Sequence, residues 1–266
     1  MPKVSVIMGV YNLTDRLILE KSIFSILNQT FTDFEFIICD DGSDDNTFEI
    51  VKDICKNDDR VVLLQNESNK GLAYVLNKCL EHAKGEYIAR MDADDESVLE
   101  RLEKQVEFLD SHPEYGVVTS NADVFDGDVI WKEFIYSEEI TKNDFLFNNP
   151  IVHGAVMVRK CVYDQMNGYR DIPMTYRVED YDLFMRICAE GIKIKTLQQK
   201  LFKFREDKNA FKRRKYRYRI NEARVRFYGF KLLKLYPKGI IYVIKPLIVG
   251  LLPLGLKRKI ILSTKK

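Results

Sequence analysis

Short apolar runs alternate with amphipathic segments along the first hundred residues of the chain. Four runs have the continuous apolar character of buried strands, namely VSVIMGV (4–10), FEFIICD (34–40), RVVLLQN (60–66) and GEYIARMD (85–92). Between them apolar residues recur at three- and four-residue steps, as in Leu19, Ile23 and Ile26, which is the spacing of one helix face. The pattern predicts an α/β fold with a doubly wound, mostly parallel central sheet.

Polar and acidic residues cluster at the carboxyl ends of these predicted strands. In chain order the residues at the four ends are Val10 and Tyr11, Asp40 and Asp41, Lys70 and Gly71, and Asp92, Ala93 and Asp94. Ligands of open parallel sheets bind beyond the carboxyl ends of the strands, so we expect these residues to share one site. Four acids between residues 92 and 96 repel one another in a single turn, which suits a divalent cation with oxygen ligands.

Composition narrows the class of protein. With 266 residues, of which 46% are hydrophobic, the chain can bury a core as one large domain or as one domain with an appendage. Its five cysteines form no CxxC pair, which predicts core thiols of a reducing compartment rather than disulfides. The first residues, MPKVSVIMGVYN, have too short an apolar run for a signal peptide, so we expect a cytoplasmic protein.

Five segments together resemble the family 2 glycosyltransferases, which have the GT-A fold. They are VSVIMGVYN (4–12), DDGSDDNT (40–47), NKGLAYVLN (69–77), ARMDADD (89–95) and VEDYDLFMR (178–186). The resemblance implies a GT-A domain over residues 1–207, with a nucleotide-binding half at about 1–96 and an acceptor half at about 97–207. It also implies inverting transfer of a sugar from a nucleoside diphosphate donor to an acceptor hydroxyl.

The resemblance assigns the strand-end residues to the donor. The residues that would bind the nucleotide sugar are Val10, Tyr11, Asp40, Asp41, Lys70, Gly71, Arg90, Asp92, Ala93 and Asp94. A strand-end carboxylate of Asp40 or Asp41 can accept the N3–H of uracil, which favours a uridine donor. Asp94 would ligate Mn²⁺ or Mg²⁺ directly, while Asp92 would act through the ribose or a metal-bound water. Such an ion neutralises the charge that grows on the departing diphosphate.

Each donor assignment has a structural alternative. Tyr11 could pack at the rim of the domain, and Asp40 and Asp41 could merely form a turn. The acidic turn could be solvated and precede a helix, with Ser97 and Glu100 as its capping box.

The acceptor side depends on the pair Glu179 and Asp180. By resemblance Asp180 is the catalytic base that accepts the proton of the attacking hydroxyl, and Glu179 is its neighbour in the acceptor site. The alternative is that these acids only stabilise the start of a helix, which Gly191 would end. No QxxRW signature follows the pair. Its absence favours addition of a single sugar over processive synthesis.

The C-terminal residues 208–266 predict a basic helical extension. From residue 200 onward the chain carries 21 Lys and Arg against 3 acidic residues. One predicted helix face comprises Tyr216, Ile220, Ala223, Phe227, Phe230 and Leu233, and the basic residues around it include Arg213, Arg214, Arg217, Arg224 and Lys231. The stretch 236–259 is apolar but interrupted by Lys245, Pro246 and Pro253, so we expect it to lie in a membrane interface rather than to span the bilayer.

This extension therefore predicts peripheral attachment to an anionic membrane surface on the cytoplasmic side. If it is only an anchor, a chain ending near Asp207 should still hydrolyse the donor. The alternative is that its apolar face packs on the catalytic domain or on a second subunit. Nucleic acid is a poorer partner, because phosphate binding does not require the long apolar segment.

The prediction from the sequence is an inverting, metal-dependent glycosyltransferase. It would move one hexose or N-acetylhexosamine from a uridine diphosphate donor to a glycan acceptor, preferably a lipid-linked oligosaccharide of bacterial surface polysaccharide synthesis. A sugar-phosphate nucleotidyltransferase would share the sheet and the acidic site, but its Gly-rich phosphate loop near the N-terminus is missing here. A non-catalytic protein that binds nucleotide sugars or nucleic acid is the other alternative. The donor sugar, the linkage and the oligomeric state stay open.

Overall fold

A computed structural model of the chain describes residues 1–206 and 215–251, and its strands form one mixed sheet. The strands are β1 Val4–Val10, β2 Phe34–Asp40, β3 Val61–Gln65, β4 Tyr87–Asp92, β5 Glu96–Ser97, β6 Tyr115–Asp126, β7 Val129–Phe134, β8 Glu139–Ile140, β9 Met157–Arg159 and β10 Lys193–Arg205. The helices are α1 Arg16–Leu27, α2 Thr47–Cys55, α3 Leu72–His82, α4 Arg101–Ser111, α5 Lys160–Met166, α6 Glu179–Ala189, α7 Tyr216–Leu232 and α8 Gly239–Leu251. Two short 3-10 helices span Asp144–Leu146 and His153–Ala155.

The first half of the chain builds the parallel part of the sheet. The strand order is β3-β2-β1-β4-β9-β6-β10-β5, with β7 paired to β6 and β8 paired to β10. Strands β3, β2, β1 and β4 are parallel to one another, whereas β9 is antiparallel to β4 and to β6. The predicted α/β fold with a mostly parallel sheet over the first four strands is confirmed.

Helices cover both faces of this sheet, which explains why its strands are continuously apolar. Alternate residues of a strand point to opposite faces, and in β1 Val6 and Met8 join one buried cluster while Ile7 joins the other. The first cluster lies with α1, α2 and α4, and the second lies with α3, α5 and α6. Burial on both faces leaves the carboxyl ends of the strands as the accessible edge.

The helix boundaries correct one local prediction and support another. Helix α4 begins at Arg101 and its N-cap residue Glu100 makes no side-chain capping bond, so the predicted capping box is wrong. Ser97 belongs instead to β5, where its hydroxyl accepts a hydrogen bond of 2.7 Å from the buried guanidinium of Arg101. Helix α6 does end at Ala189, and Gly191 follows it with a φ of 76°.

Helix α7 of the extension packs on the body of the domain. Val225, Phe230 and Leu233 share a buried cluster with side chains of α6. The alternative in which this part of the extension packs on the catalytic domain therefore holds for α7. Removal of the helix would expose that cluster, so we no longer expect a chain ending near Asp207 to keep full stability.

The inward face of α7 differs from the predicted one. Ala223, Phe230 and Leu233 are buried as expected, but Tyr216, Ile220 and Phe227 are exposed. Arg226 and Gly229 occupy inward positions instead, and Arg226 is only 2% exposed. The predicted boundary near residue 207, the basic residues Arg213 and Arg214, and the extension from 252 onward lie outside the described residues.

Helix α8 continues the extension and presents apolar side chains to the surface. Its exposed residues include Ile240, Ile241, Ile244, Ile248 and Leu251. Within residues 1–206 and 215–251, no helix has the length and apolar character needed to cross a bilayer.

Candidate active site

The sheet register brings the ends of β1, β2 and β4 together. Val10 pairs with Asp40, and Gly9 pairs with Asp92 on the other side. Asn12 ties the two loops beyond β1 and β2, since its side-chain amide donates to Asp44 at 2.7 Å and its backbone N–H donates to the Ser43 hydroxyl at 3.0 Å. Val10 itself is buried, while Tyr11 is 46% exposed at the end of β1.

Asp40 shapes the turn beyond β2. Its carboxylate accepts hydrogen bonds from the Ser43 N–H at 3.0 Å, the Ser43 hydroxyl at 2.5 Å and the Gln65 side chain at 3.3 Å. A carboxylate offers about four acceptor positions. Asp40 is 1% exposed and therefore has a structural role in the turn.

Asp41 organises the loop of residues 66–71 in a similar way. One carboxylate oxygen accepts from the Asn66 side chain at 2.9 Å and from the Lys70 N–H at 2.8 Å, and the other accepts from the Gly71 N–H at 2.8 Å. Gly71 has a φ of 97° and is the N-cap residue of α3. The backbone of Lys70 and Gly71 is thus fixed by Asp41, while the Lys70 side chain is exposed.

The acidic turn after β4 is held by the end of β10. Asp95 is buried, and its Oδ1 accepts the Arg205 N–H at 2.6 Å, while the Asp94 carbonyl accepts from the Arg205 guanidinium at 2.7 Å. Burial and the neighbouring charge of Asp94 raise the pKa of Asp95 well above its usual value. Asp94 is exposed, Ala93 is buried, and the described part of the chain gives the Asp94 carboxylate no hydrogen-bond partner on another residue.

A buried arginine stands at the centre of the site. Arg90 on β4 is 2% exposed and pairs with the Asp92 carboxylate. Its charge also acts on Asp95, Glu179 and Asp180, and burial lowers its own pKa. Arg90 is therefore a fixed positive charge between the strand-end acids and the acids of α6.

Glu179 and Asp180 open α6 on the other side of this arginine. Burial, followed by the neighbouring charge of Asp180, raises the pKa of Glu179 to about 7. Burial also raises the pKa of Asp180, but hydrogen bonds from the Tyr181 N–H and the Asn149 side-chain amide, each 2.8 Å long, oppose that rise.

The loop that precedes α6 reaches the donor side of the cleft. The ring of Tyr176 would lie 3.6 Å from a Cβ on Gly71, so the loop before Glu179 sits against the start of α3. Behind the site, His153 hydrogen-bonds through Nε2 to the Tyr169 hydroxyl at 2.8 Å. Burial and Arg90 hold the pKa of His153 well below its usual value, so this side chain is neutral at pH 7.

Comparison with known proteins identifies the family of this chain. The family model described as Glycosyl transferase family 2 matches residues 5–165. The chain belongs to glycosyl transferase family 2. Over 253 residues it is 44% identical to a Bacillus subtilis (strain 168) protein provisionally named glycosyltransferase EpsE, with 95% of this chain and 90% of that protein covered. The protein is a glycosyltransferase related to proteins of bacterial polysaccharide biosynthesis.

Two further members extend the comparison of this family 2 glycosyltransferase. It is 30% identical over 208 residues to the Escherichia coli UDP-Glc:alpha-D-GlcNAc-diphosphoundecaprenol beta-1,3-glucosyltransferase WfaP, with 74% of each chain covered. Its fold matches the crystal structure of S. aureus TarS 1–349 in complex with UDP-GlcNAc, with a TM-score of 0.72, 18% identity, and 95% of this chain and 77% of that chain covered. The GT-A fold predicted from the sequence is confirmed.

The acidic turn of this glycosyltransferase fits a divalent cation as part of a ligand set. Asp94 offers an exposed carboxylate, and Asp95 beside it has a buried Oδ2 without a hydrogen-bond partner. Across the residues that the structure describes, no three His, Cys, Asp or Glu side chains are grouped as a cage for an ion. An ion at Asp94 would therefore need further oxygen ligands from the donor diphosphate and water.

Two residues that support the site are not among its predicted binding and catalytic residues. Asn149 holds Asp180, and Asn12 joins the β1 and β2 loops. Asn12 had a signal in the sequence, since it follows a predicted strand and adopts the left-handed conformation, with a φ of 46°, that asparagine tolerates. Asn149 had none, because its partner is 31 positions away.

Proposed function

We propose that this family 2 glycosyltransferase transfers a single hexose or N-acetylhexosamine from a uridine diphosphate donor to a glycan hydroxyl, with inversion. The observation that carries the proposal is the position of Arg90, whose charge acts on the acidic turn and on Glu179 and Asp180 together. Donor-side and acceptor-side acids therefore surround one buried cation. Family membership supports a transferase over the nucleotidyltransferase and the non-catalytic binder.

The donor lies at the ends of β1, β2 and β4. Asp40 or Asp41 accepts the N3–H of uracil; each is buried at a strand end and is held there by three accepted hydrogen bonds. Tyr11 stacks on the base from the rim, where it is exposed. A uridine donor is supported by two similar proteins, the UDP-Glc-dependent WfaP and TarS in complex with UDP-GlcNAc.

Asp94 would hold Mn²⁺ or Mg²⁺, and Asp92 would contribute through water or at the ribose. When bound, the ion supplies Lewis-acid neutralisation of the diphosphate leaving group. Arg90 keeps Asp92 oriented through their ion pair, and the Asp94 side chain is exposed in the same turn. The Lys70 side chain, exposed at the same edge, adds a positive charge towards the phosphates.

Asp180 accepts the proton of the acceptor hydroxyl as that oxygen attacks the anomeric carbon. Its two hydrogen-bond donors favour the carboxylate, while partial burial keeps that carboxylate basic. Attack from the side of Asp180, opposite the departing diphosphate, inverts the anomeric centre. Glu179 lies beside it and binds an acceptor hydroxyl.

The acceptor is a lipid-linked oligosaccharide at the cytoplasmic face of the cell membrane, in bacterial surface polysaccharide synthesis. Support comes from the similar protein WfaP, which is named for an alpha-D-GlcNAc-diphosphoundecaprenol acceptor. Further support is the row of exposed isoleucines on α8, which can enter a bilayer interface. Attachment of the protein to the membrane would bring its cleft to such an acceptor.

The decisive experiment is a screen of nucleotide sugars with the purified full-length protein, with manganese and with a chelator. We expect slow hydrolysis of one uridine diphosphate sugar, loss of that hydrolysis in chelator, and loss of at least about a hundredfold in Asp94→Ala. Absence of turnover with every nucleotide sugar contradicts the proposed function. Full activity in chelator contradicts only the proposed requirement for a metal ion.

A further inference from the structure

One arginine of the C-terminal extension is built into the domain rather than exposed on the basic surface. Arg226 on α7 is 2% exposed. Its guanidinium donates to the Leu146 carbonyl at 2.9 Å, to the Phe147 carbonyl at 3.2 Å and to the Glu222 carboxylate at 3.0 Å. An arginine fork that is buried and bonded to backbone carbonyls fixes the segment that carries them.

That segment, residues 145–149, is the one that holds the proposed base. Two residues beyond the carbonyls bound by Arg226, Asn149 donates to the Asp180 carboxylate at 2.8 Å. Tyr181, which follows Asp180, donates its hydroxyl to the Phe145 carbonyl. The Arg226 guanidinium lies 5.2 Å from the centre of the Tyr181 ring, so the arginine contacts both sides of this assembly.

A second contact of α7 acts on the loop before α6. The Asn221 side chain donates to the Tyr176 carbonyl at 3.1 Å, and the rings of Tyr176 and Tyr218 lie 5.8 Å apart. Tyr176 precedes Glu179 by three residues and packs towards Gly71. The extension therefore supports the acceptor-side acids through two separate segments.

We propose that Arg226 is a positioning residue of the transfer reaction, which acts by fixing residues 145–149 so that Asn149 holds the carboxylate of Asp180. The proposal rests on the role of Asp180 in the proposed function. It also gives the extension a task beyond membrane attachment, because α7 completes the acceptor side of the site.

The proposal has a chemical signature. If the segment loosens, the Asn149 hydrogen bond that favours the Asp180 carboxylate weakens, and the pKa of Asp180 rises. Among the described residues, the other titratable groups whose charges interact with Asp180 are Glu179, Arg90, Tyr136, Tyr169 and Tyr181. The described hydrogen bonds to the Leu146 and Phe147 carbonyls through side chains come from Arg226 and not from these groups. The acidic limb of the kcat profile should therefore move to higher pH.

The test compares the pH profiles of kcat of Arg226→Met and Arg224→Ala, both measured in detergent with a soluble acceptor. Arg224→Ala is the control because it removes an exposed cation from the same helix. We expect the acidic limb in Arg226→Met to rise by roughly 0.5 to 1 pH unit, with kcat about tenfold lower and the donor KM within about twofold. Arg224→Ala should match the wild-type profile. An unchanged limb in a folded Arg226→Met protein overturns the proposal.

A double-mutant cycle identifies the route of the effect. Asn149→Ala alone should move the acidic limb of the kcat profile to higher pH. In the Asn149→Ala background, Arg226→Met should add little to that shift. Fully additive shifts, or an Asn149→Ala limb identical to that of the wild type, contradict positioning through Asn149.

Arg226→Lys and Asn149→Ala keep the test valid if Arg226→Met does not fold. Arg226→Lys retains the charge but lacks the fork, so we expect a smaller shift in the same direction. A wild-type protein with no turnover would sink the proposed function. An active wild type with unshifted variants overturns only the positioning role.

Discussion

The carboxylate of Asp180 is poised between two opposing influences. Burial favours its protonated form, and two hydrogen bonds of 2.8 Å favour the charged form. Asp180→Asn preserves the shape of the side chain but cannot accept a proton. We expect transfer to fall by at least about a hundredfold while the donor Kd stays within about threefold. Single-turnover transfer and titration with donor measure the two quantities, and loss of donor binding alone would contradict the role of the base.

Glu179 provides a pH-dependent contribution to stability. A carboxyl whose folded pKa lies above its unfolded value stabilises the fold at low pH and loses that contribution as the pH rises through the folded pKa. For Glu179 the window runs from 4.5 to about 7. As the pH rises from 5 to 8, the free energy of unfolding of Glu179→Gln should therefore increase relative to that of the wild type, by at most about 3 kcal/mol. Urea denaturation of both proteins at the two pH values measures the gain.

Asp180 stays in both proteins of that comparison, so its own raised pKa contributes to both curves. A difference in stability that is constant between pH 5 and pH 8 would contradict the perturbed pKa of Glu179.

Local sequence could identify these carboxylates but not the residues that hold them. Asp40, Asp94, Glu179 and Asp180 stand at strand or helix ends, in contiguous segments that resemble the motifs of the family. Asn149 and Arg226 act on partners 31 and 80 positions away. Their roles follow from tertiary contacts, which no spacing in the chain records.

At the scale of elements, the turn after β2 depends on glycine at position 42. Gly42 has a φ of 67°, and a Cβ there would lie 2.5 Å from the backbone of Ser68. Gly127 in the β6–β7 turn is a matched control, because its φ is 62° and a Cβ there would have no atom within 4 Å. Gly42→Ala should cost about 1 to 3 kcal/mol more than Gly127→Ala, since both share the backbone strain but only one meets a steric clash.

Urea denaturation of the two variants measures that difference, and titration with donor extends it. The displaced Ser68 lies in the loop organised by Asp41, so donor affinity should fall in Gly42→Ala and stay unchanged in Gly127→Ala. Equal stabilities would show that the loop moves aside freely.

The elements themselves were predicted unevenly. Strands β1 to β4 and helices α1 to α3 follow from the hydrophobic pattern of the sequence. Each strand is a continuous apolar run, and each helix buries apolar residues that recur at three- and four-residue steps. The inward face of α7 was predicted incorrectly, because Arg226 reaches inward to backbone carbonyls and displaces Phe227 to the surface. Hydrophobic periodicity counts an arginine as polar and cannot register a charge that is satisfied inside the fold.

At the scale of the whole molecule, the extension divides into an inward helix and an outward one. Helix α7 contributes Val225, Phe230 and Leu233 to the core, whereas Ile241, Ile244, Ile248 and Leu251 form an exposed stripe on α8 at helical spacing. Basic residues, including Lys231, Lys234 and Lys238, lie exposed just before α8. Apolar side chains beside lysines suit an anionic bilayer surface, where each cation contributes on the order of 1 kcal/mol.

Point substitutions on α8 test the proposed membrane attachment without disturbing the packing of α7 on the domain. A truncation would remove both helices. Ile241 and Ile248 are 75% and 56% exposed, so their replacement by Glu leaves the core intact. We expect the Ile241→Glu/Ile248→Glu protein to stop floating with anionic liposomes, while donor hydrolysis stays within about twofold of wild type. Ile130→Glu is the control, because Ile130 is 53% exposed on β7, outside the extension, and should float normally.

Salt and sedimentation distinguish the bilayer from a second copy of the chain as the partner of α8. Binding of the wild type to liposomes should weaken at high salt but persist in part, because buried apolar groups are not screened. A stripe that instead packs on a second copy would give a wild-type dimer that the Ile241→Glu/Ile248→Glu change dissociates in the absence of lipid. Failure of the wild type to float at low salt, together with such a dimer, would replace membrane attachment with self-association.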